Sequence, residues 1–152
     1  MNIKKYIFSA FIAIFLAFGS TADVFSTTIK EIINVKPLEL VTSPQKYLGQ
    51  EVVMNATFDK FSTLGLDYKK ALRPSTDYIG FLIQRDDVVD HNVPLSEMKL
   101  FIKRDYAEKF IELHTGDKIK IRGKVFSTAL GDPWVDIENI EITKKINNKE
   151  EK

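Results

Sequence analysis

The chain has 152 residues, 44% hydrophobic and 28% charged, the balance of one ordinary globular domain and too short for two domains with a linker. It contains no cysteine, which excludes disulfide frameworks, thiolate metal sites, cysteine nucleophiles and lipid attachment through a cysteine. A formal charge of +1 supplies no global field to gather polyanions, so nucleic-acid binding would have to rest on a local patch.

The N-terminus reads as an address. Lys4 and Lys5 precede an uncharged, mostly apolar run over residues 6–19, and Ser20, Thr21 and Ala22 place small residues where a signal peptidase cuts. The run is shorter than the roughly 20 residues that span a bilayer, so cleavage after Ala22 is expected, and a membrane association only through an uncleaved leader. Removing residues 1–22 takes away two of the 22 basic residues and none of the 21 acidic ones, leaving a mature chain of formal charge −1. A periplasmic or secreted protein follows from this pattern. The expected organisation is a signal peptide over 1–22, a lead-in over 23–36, a folded domain over 37–143 and a polar tail over 144–152.

Along the domain, Ser43, Pro44 and Gly49 frame one capped helical turn. Val52, Met54, Ala56 and Phe58 then alternate with polar residues, the period of a half-buried strand over 51–58. Residues 62–76 lack any period and contain Gly65 and Pro74, which predicts a long loop. A second strand covers 78–84, with Ile79, Phe81 and Ile83 on one face and Gly80 at a bend. In the third, Met98, Leu100 and Ile102 alternate with Lys99, Phe101 and Lys103, giving one apolar and one basic-aromatic face. Asp105 and Glu108 form a capping-box pattern, and Tyr106, Phe110 and Leu113 share a face of a helix that His114 and Gly116 end. Ile119, Ile121 and Val125 mark the fourth strand, with Gly123 where a closed sheet bends. Val135 and Ile137 mark the fifth, whose apolar parity slips to Ile140 and Ile142 and predicts a bulge near Glu138 and Asn139.

The order strand, strand, strand, helix, strand, strand is that of a five-stranded Greek-key barrel, all-β with one helix, the OB-fold. The run Pro44-Gln45-Lys46-Tyr47-Leu48-Gly49-Gln50-Glu51-Val52 and the run Thr115-Gly116-Asp117-Lys118-Ile119-Lys120-Ile121-Arg122-Gly123-Lys124-Val125 resemble the corresponding parts of OB-fold domains of the nucleic-acid-binding superfamily. They are similar also to small exported bacterial OB-fold proteins. The resemblance covers residues 37–143. It implies a ligand on the face of strands two and three, between the first long loop and the last hairpin, and carries over no catalytic residue.

The site expected from these readings joins Tyr68, Lys69, Lys70 and Arg73 of the long loop to Lys99, Phe101 and Lys103 of the third strand, with Trp134 on the last hairpin beside them. An exposed ring between two cations is a surface on which a base or sugar stacks. Burial of Phe101 beneath the lead-in, packing of Tyr68 on Phe101 as loop anchors, and rim or core packing of Trp134 are the structural alternatives. Lys118, Lys120, Arg122 and Lys124 form a basic stripe with phosphate-like spacing, which Asp136, Glu138 and Glu141 on the next strand would neutralise. Asp86, Asp87, Asp90 and His91 hold oxygen and imidazole ligands without the spacing of a known metal loop. With no nucleophile elbow and no phosphate-binding glycine loop, the expectation is a noncatalytic module without metal or cofactor. Its partner would be a protein or an envelope polymer. Single-stranded nucleic acid is the alternative ligand, and a metal-dependent hydrolytic enzyme the more distant one.

Overall fold

The computed structural model describes residues 31–63, 68–69 and 73–146. Residues 1–30, which include the expected leader and most of the expected lead-in, residues 64–67, Lys70 with the two residues after it, and the last six residues lie outside them. Six strands and two short helices follow one another as β1 (Ile32–Asn34), α1 (Pro37–Thr42), β2 (Glu51–Ser62), β3 (Tyr78–Ile83), β4 (Lys99–Lys103), α2 (Arg104–Ala107), β5 (Lys118–Ser127) and β6 (Trp134–Lys144). The sheet order is β1-β2-β3-β4-β6-β5, and an additional β2–β5 pairing closes β2 to β6 into a barrel. Pairing is antiparallel throughout the barrel except between β4 and β6. This is the OB-fold.

β2 is long enough to serve two partners. Residues 51–57 pair with β5, and the remainder, from Phe58, pairs with β3 after a register shift between Phe58 and Lys60. The bend is bridged by the turn before β5, where Phe58 N donates to Asp117 O, Gly116 N donates to Phe58 O, and Thr115 Oγ1 donates to Asp59 O. These bonds satisfy backbone groups that the strand pairing abandons at the shift.

The alternation read in the sequence is the alternation of burial. Val52, Met54, Ala56 and Phe58 point inward with Phe81, Ile83, Leu100, Ile102, Ile119, Ile121 and Val125. Phe58, Phe61 and Phe81 meet edge-on or tilted, with centroids 5.0 to 5.6 Å apart. In the β5–β6 pairing, Arg122 faces Asn139 while Gly123 faces Ile137, so Glu138 is the extra residue of the expected bulge.

Three elements differ from expectation. The end of the lead-in forms β1, parallel to the start of β2, and the following residues form α1 with Pro37 in its first turn. The helix expected from Asp105 to Gly116 is one α turn over Arg104–Ala107 and a 3-10 turn over Glu108–Phe110, with Lys103 at its N-cap. Asp105 accepts from the adjacent Tyr106 N and does not bond across a turn. The helix is cut short because its residues are fixed at both ends: Leu113 is buried in the barrel, and Tyr106 is tied to β6. Tyr106 Oη lies 3.2 Å from Asn139 Oδ1 and accepts from Ile140 N, also at 3.2 Å, on the edge that β6 exposes once β4 has turned away. Tyr106→Phe is expected to cost about 1 kcal/mol in urea unfolding and leave the circular dichroism unchanged.

Candidate functional site

The outer face of β3, β4 and β6 is set by register. Gly80, Phe101 and Asp136 lie in one row across the three strands, Tyr78 and Lys103 in the next, and Lys99 and Trp134 on the other side of that row. A barrel wall of this kind ordinarily carries polar residues outside. Here it carries a second apolar cluster, Phe101 and Trp134 with Tyr68, Tyr78, Phe126 and Ala129 packed on them.

The rings form a stack. Trp134 lies over Phe101 with centroids 5.6 Å apart and planes 18° apart, and Tyr68 lies over Trp134 at 5.5 Å and 29°. Phe126 leans on Phe101 at 6.0 Å. The indole Nε1 donates to Ala129 O at 2.8 Å, which satisfies its one donor and fixes the ring. Phe101 and Trp134 are each 1% exposed, so neither is the open platform the strand pattern allows. Among the described residues the rings on Phe101 are Trp134 and Phe126, and Tyr68 stacks on Trp134; lead-in residues 23–30, under which burial was expected, lie outside the described residues. The physical reason is that Gly80, beside Phe101 in the row, offers no side chain, and an unshielded ring there would leave large apolar area in water.

Arg73 closes the cluster. Its Nε and Nη2 donate to the two carboxylate oxygens of Asp136 at 2.9 and 2.6 Å. The guanidinium carbon sits 3.7 Å from the Phe126 centroid and 5.7 Å from that of Tyr78. A planar cation bonded in bidentate fashion and lying on a ring is a rigid contact. The bonds to Asp136 outweigh the cost of burial and raise the guanidinium pKa further.

Of the other expected site residues, Lys69 is exposed beside Tyr68 and Lys70 lies outside the described residues. Lys99 donates to Ser96 O and pairs with Asp132 at 3.4 Å. Lys103 is exposed at the rim of a cleft of about 450 Å³ that Tyr78, Asp105, Tyr106, Asp136 and Glu138 complete. At the other end of the same face a groove of about 270 Å³ runs over Gly80, Leu82, Pro94 and Ser96. The site therefore gathers Tyr68, Arg73, Phe101 and Trp134, with the three lysines at its margin. Asp136, Phe126 and Tyr78 were not among the expected site residues. Only Asp136 had a signal in the sequence, an acidic residue at the outward parity of its strand.

The basic stripe is exposed, as its parity requires, but its neutralisation is only partial. Lys120 faces Glu141 in register and Arg122 reaches Glu138 at 3.9 Å. Lys118 donates to Thr57 Oγ1, and Asp136, opposite Lys124, is engaged by Arg73 instead. In the acidic segment, both oxygens of Asp87 accept from Arg85 at 3.0 Å, which holds its pKa below the usual range. Among the described residues no group of three potential metal ligands comes together.

No protein-family model matches the chain. No curated protein matches it in sequence. Solved structures similar to it include one from Leishmania major Friedlin assigned as an aspartyl-tRNA synthetase, at 10% identity and a TM-score of 0.50, covering 82% of this chain and 23% of that one. The asparaginyl-tRNA synthetase of Pyrococcus horikoshii is similar at 13% identity and a TM-score of 0.48, with 74% and 23% covered. An OBody bound to hen egg-white lysozyme is similar at 16% identity and a TM-score of 0.44, with 66% and 85% covered. The chain thus spans about a quarter of the length of the synthetases it matches, and the likeness is one of fold.

Proposed function

We propose that the chain is a noncatalytic binding module that acts outside the cytoplasm on a protein or an envelope polymer. The observation that carries this reading is the aromatic stack of Tyr68, Trp134 and Phe101 on the outside of a barrel whose interior is already filled by its own core. An aromatic layer outside a filled barrel, with the exposed Lys69 and Lys103 at its margin, supports recognition through that face. Export rests on the leader pattern of residues 1–22 and the near-neutral mature chain.

The test is cosedimentation of the mature chain from Asp23 with purified envelope polymers, alongside titration with a single-stranded oligonucleotide. Retention by an envelope fraction with little salt dependence is the expected result. A second reading, single-stranded nucleic-acid binding, is favoured by the exposed Lys118, Lys120, Arg122 and Lys124. It predicts oligonucleotide affinity falling steeply with salt and lost when the stripe is neutralised. A chelator-sensitive hydrolytic activity abolished by Asp87→Ala or His91→Ala would overturn both. Fractionation and N-terminal sequencing test the compartment, with Asp23 as the expected first residue.

A further inference from the structure

We propose that the end of the barrel beside α2 is a self-association surface, and that its partner is a second copy of this chain docked about a two-fold axis. The surface shares no residue with the Phe101 and Trp134 cluster, so the proposal stands or falls apart from the binding-module reading.

The first support is what the shortened helix leaves open. The helix expected over 105–116 gives way to a tighter turn at Glu108–Phe110, which sends Leu113 into the core and leaves Ile111 77% exposed. Beside Ile111 a groove of about 240 Å³ runs over Phe61, Ile79 and Ala107, with Arg104 and Glu108 as its charged lining. A lone exposed isoleucine is ordinary on a protein surface, but one that borders an apolar groove makes a patch. Phe61 and Ile79 pack on the core and are only partly buried, so the floor of the groove is continuous with the barrel interior.

The second support selects the occupant. The patch carries a knob, Ile111, and next to it a hole, the groove. A two-fold interface sets the same surface of two copies together, so that each contact occurs twice with the roles exchanged. A patch with adjacent knob and hole therefore fits itself, Ile111 of each copy entering the groove of the other.

The charges obey the same rule. Arg104 and Glu108 stand four residues apart on consecutive turns, the spacing at which opposite charges pair, but in the less favourable order with the cation first. Both are exposed, and they form no ion pair with each other or with any other described residue. Arg104 commits its Nε to Ser75 O at 2.7 Å. A two-fold axis through the groove sets Arg104 of one copy against Glu108 of the other, twice over. A patch of one sign would repel its own copy, whereas this one is neutral and complementary to itself. Its six lining residues are few beside the roughly 20–30 a side of a standard interface, which places the dimer at the weak end, with a dissociation constant of about 10–100 µM.

Sedimentation velocity of the mature chain, diluted from about 1 mM to about 1 µM, is expected to show a reversible monomer–dimer equilibrium. A monomer throughout, or a larger assembly, overturns the proposal. Ile111→Asp changes an exposed side chain, so the circular dichroism and the cooperative melt are expected to hold while the dimer weakens at least about tenfold. A dimer that this variant leaves intact forms elsewhere, and overturns the proposal as well. Reversal of the charges is a test that only a second copy passes. Arg104→Glu and Glu108→Arg each set like charges against one another across the axis, and each alone is expected to dimerise about tenfold more weakly than the parent chain. Mixed in equal amounts they restore opposite signs at both contacts, and a heterodimer of near-parent affinity is expected. Folded variants that form no heterodimer overturn the proposal in favour of another protein, or another segment of the same chain, over the groove. Arg104 also holds Ser75, so if Arg104→Glu does not fold, the two variants at exposed positions decide: a dimer of parent strength in either Glu108→Arg or Ile111→Asp overturns the proposal, and weakening in both upholds it.

Discussion

Gly123→Val is expected to keep the barrel from closing, with a loss of more than about 4 kcal/mol. A Cβ at this position would lie 2.4 Å from Asp136 O and 2.9 Å from Val135 Cγ1. The first of these is backbone in the adjacent strand, so it cannot swing aside as a side chain would. The crowding occurs where β5 steps past the bulge at Glu138, and the approach of the two backbones is what lets the sheet curl onto itself. Gly123→Ala carries the same clash with less bulk, and about 1–3 kcal/mol is expected. Gly49→Ala is the control: its φ is +78° but nothing lies within 4 Å, so only conformational strain of about 1–2 kcal/mol applies. Urea midpoints of the three variants check the order. Equal midpoints for Gly123→Ala and the parent chain would mean that β5 and β6 do not approach this closely. Because the displaced backbone is that of Asp136, Gly123→Ala should also loosen the pairing of Asp136 with Arg73.

The barrel was legible because its strands bury one face each, and period-two patterns such as Val52, Met54, Ala56 and Phe58 carry that directly. What escaped was short structure whose stability is tertiary. β1 has three residues, and its Ile32, Ile33 and Asn34 gain strand form only by pairing beside Glu51, Val52 and Val53. No local pattern encodes that. The helix failed for the opposite reason. Its local signals are sound, but the tie from Tyr106 to β6 and the burial of Leu113 override the propensity of the intervening residues.

The candidate site was legible in composition and not in arrangement. Strand parity puts Phe101 and Lys103 outward, and the register confirms that face. Parity does not reveal what folds back onto a face, and Tyr68, Phe126 and Trp134 reach Phe101 from distant parts of the chain. Asp136 shows the same limit. Its outward position opposite Lys124 is correct, yet a bidentate, partly buried arginine 63 residues away outcompetes an exposed lysine across the ladder.

Asp117→Ala is expected to cost about 2–4 kcal/mol, because it leaves two backbone donors without partners. The side chain is fully buried, its Oδ2 accepting from His114 N at 3.0 Å and its Oδ1 from Ile146 N at 2.8 Å. It thereby ties the turn before β5 to the segment that follows β6, where Ile146 covers Gly116 so closely that a Cβ there would meet its Cδ1. The docked structure accordingly runs through Ile146, past the expected end of the domain at 143. Burial pushes the Asp117 carboxyl up, but the two backbone donors outweigh it, and its pKa lies below the ordinary 3.8. A carboxylate whose pKa is depressed by folding contributes stability that is complete above its unfolded value and is lost as pH falls through its folded value. Urea midpoints of the parent chain should therefore drop on acidification below about pH 4. Asp117→Asn keeps one acceptor and cannot titrate, so its deficit against the parent chain should be largest near neutrality and shrink in acid. A deficit that stays constant down to about pH 2 would show that the ionised carboxylate is not what holds the segment after β6 to the barrel.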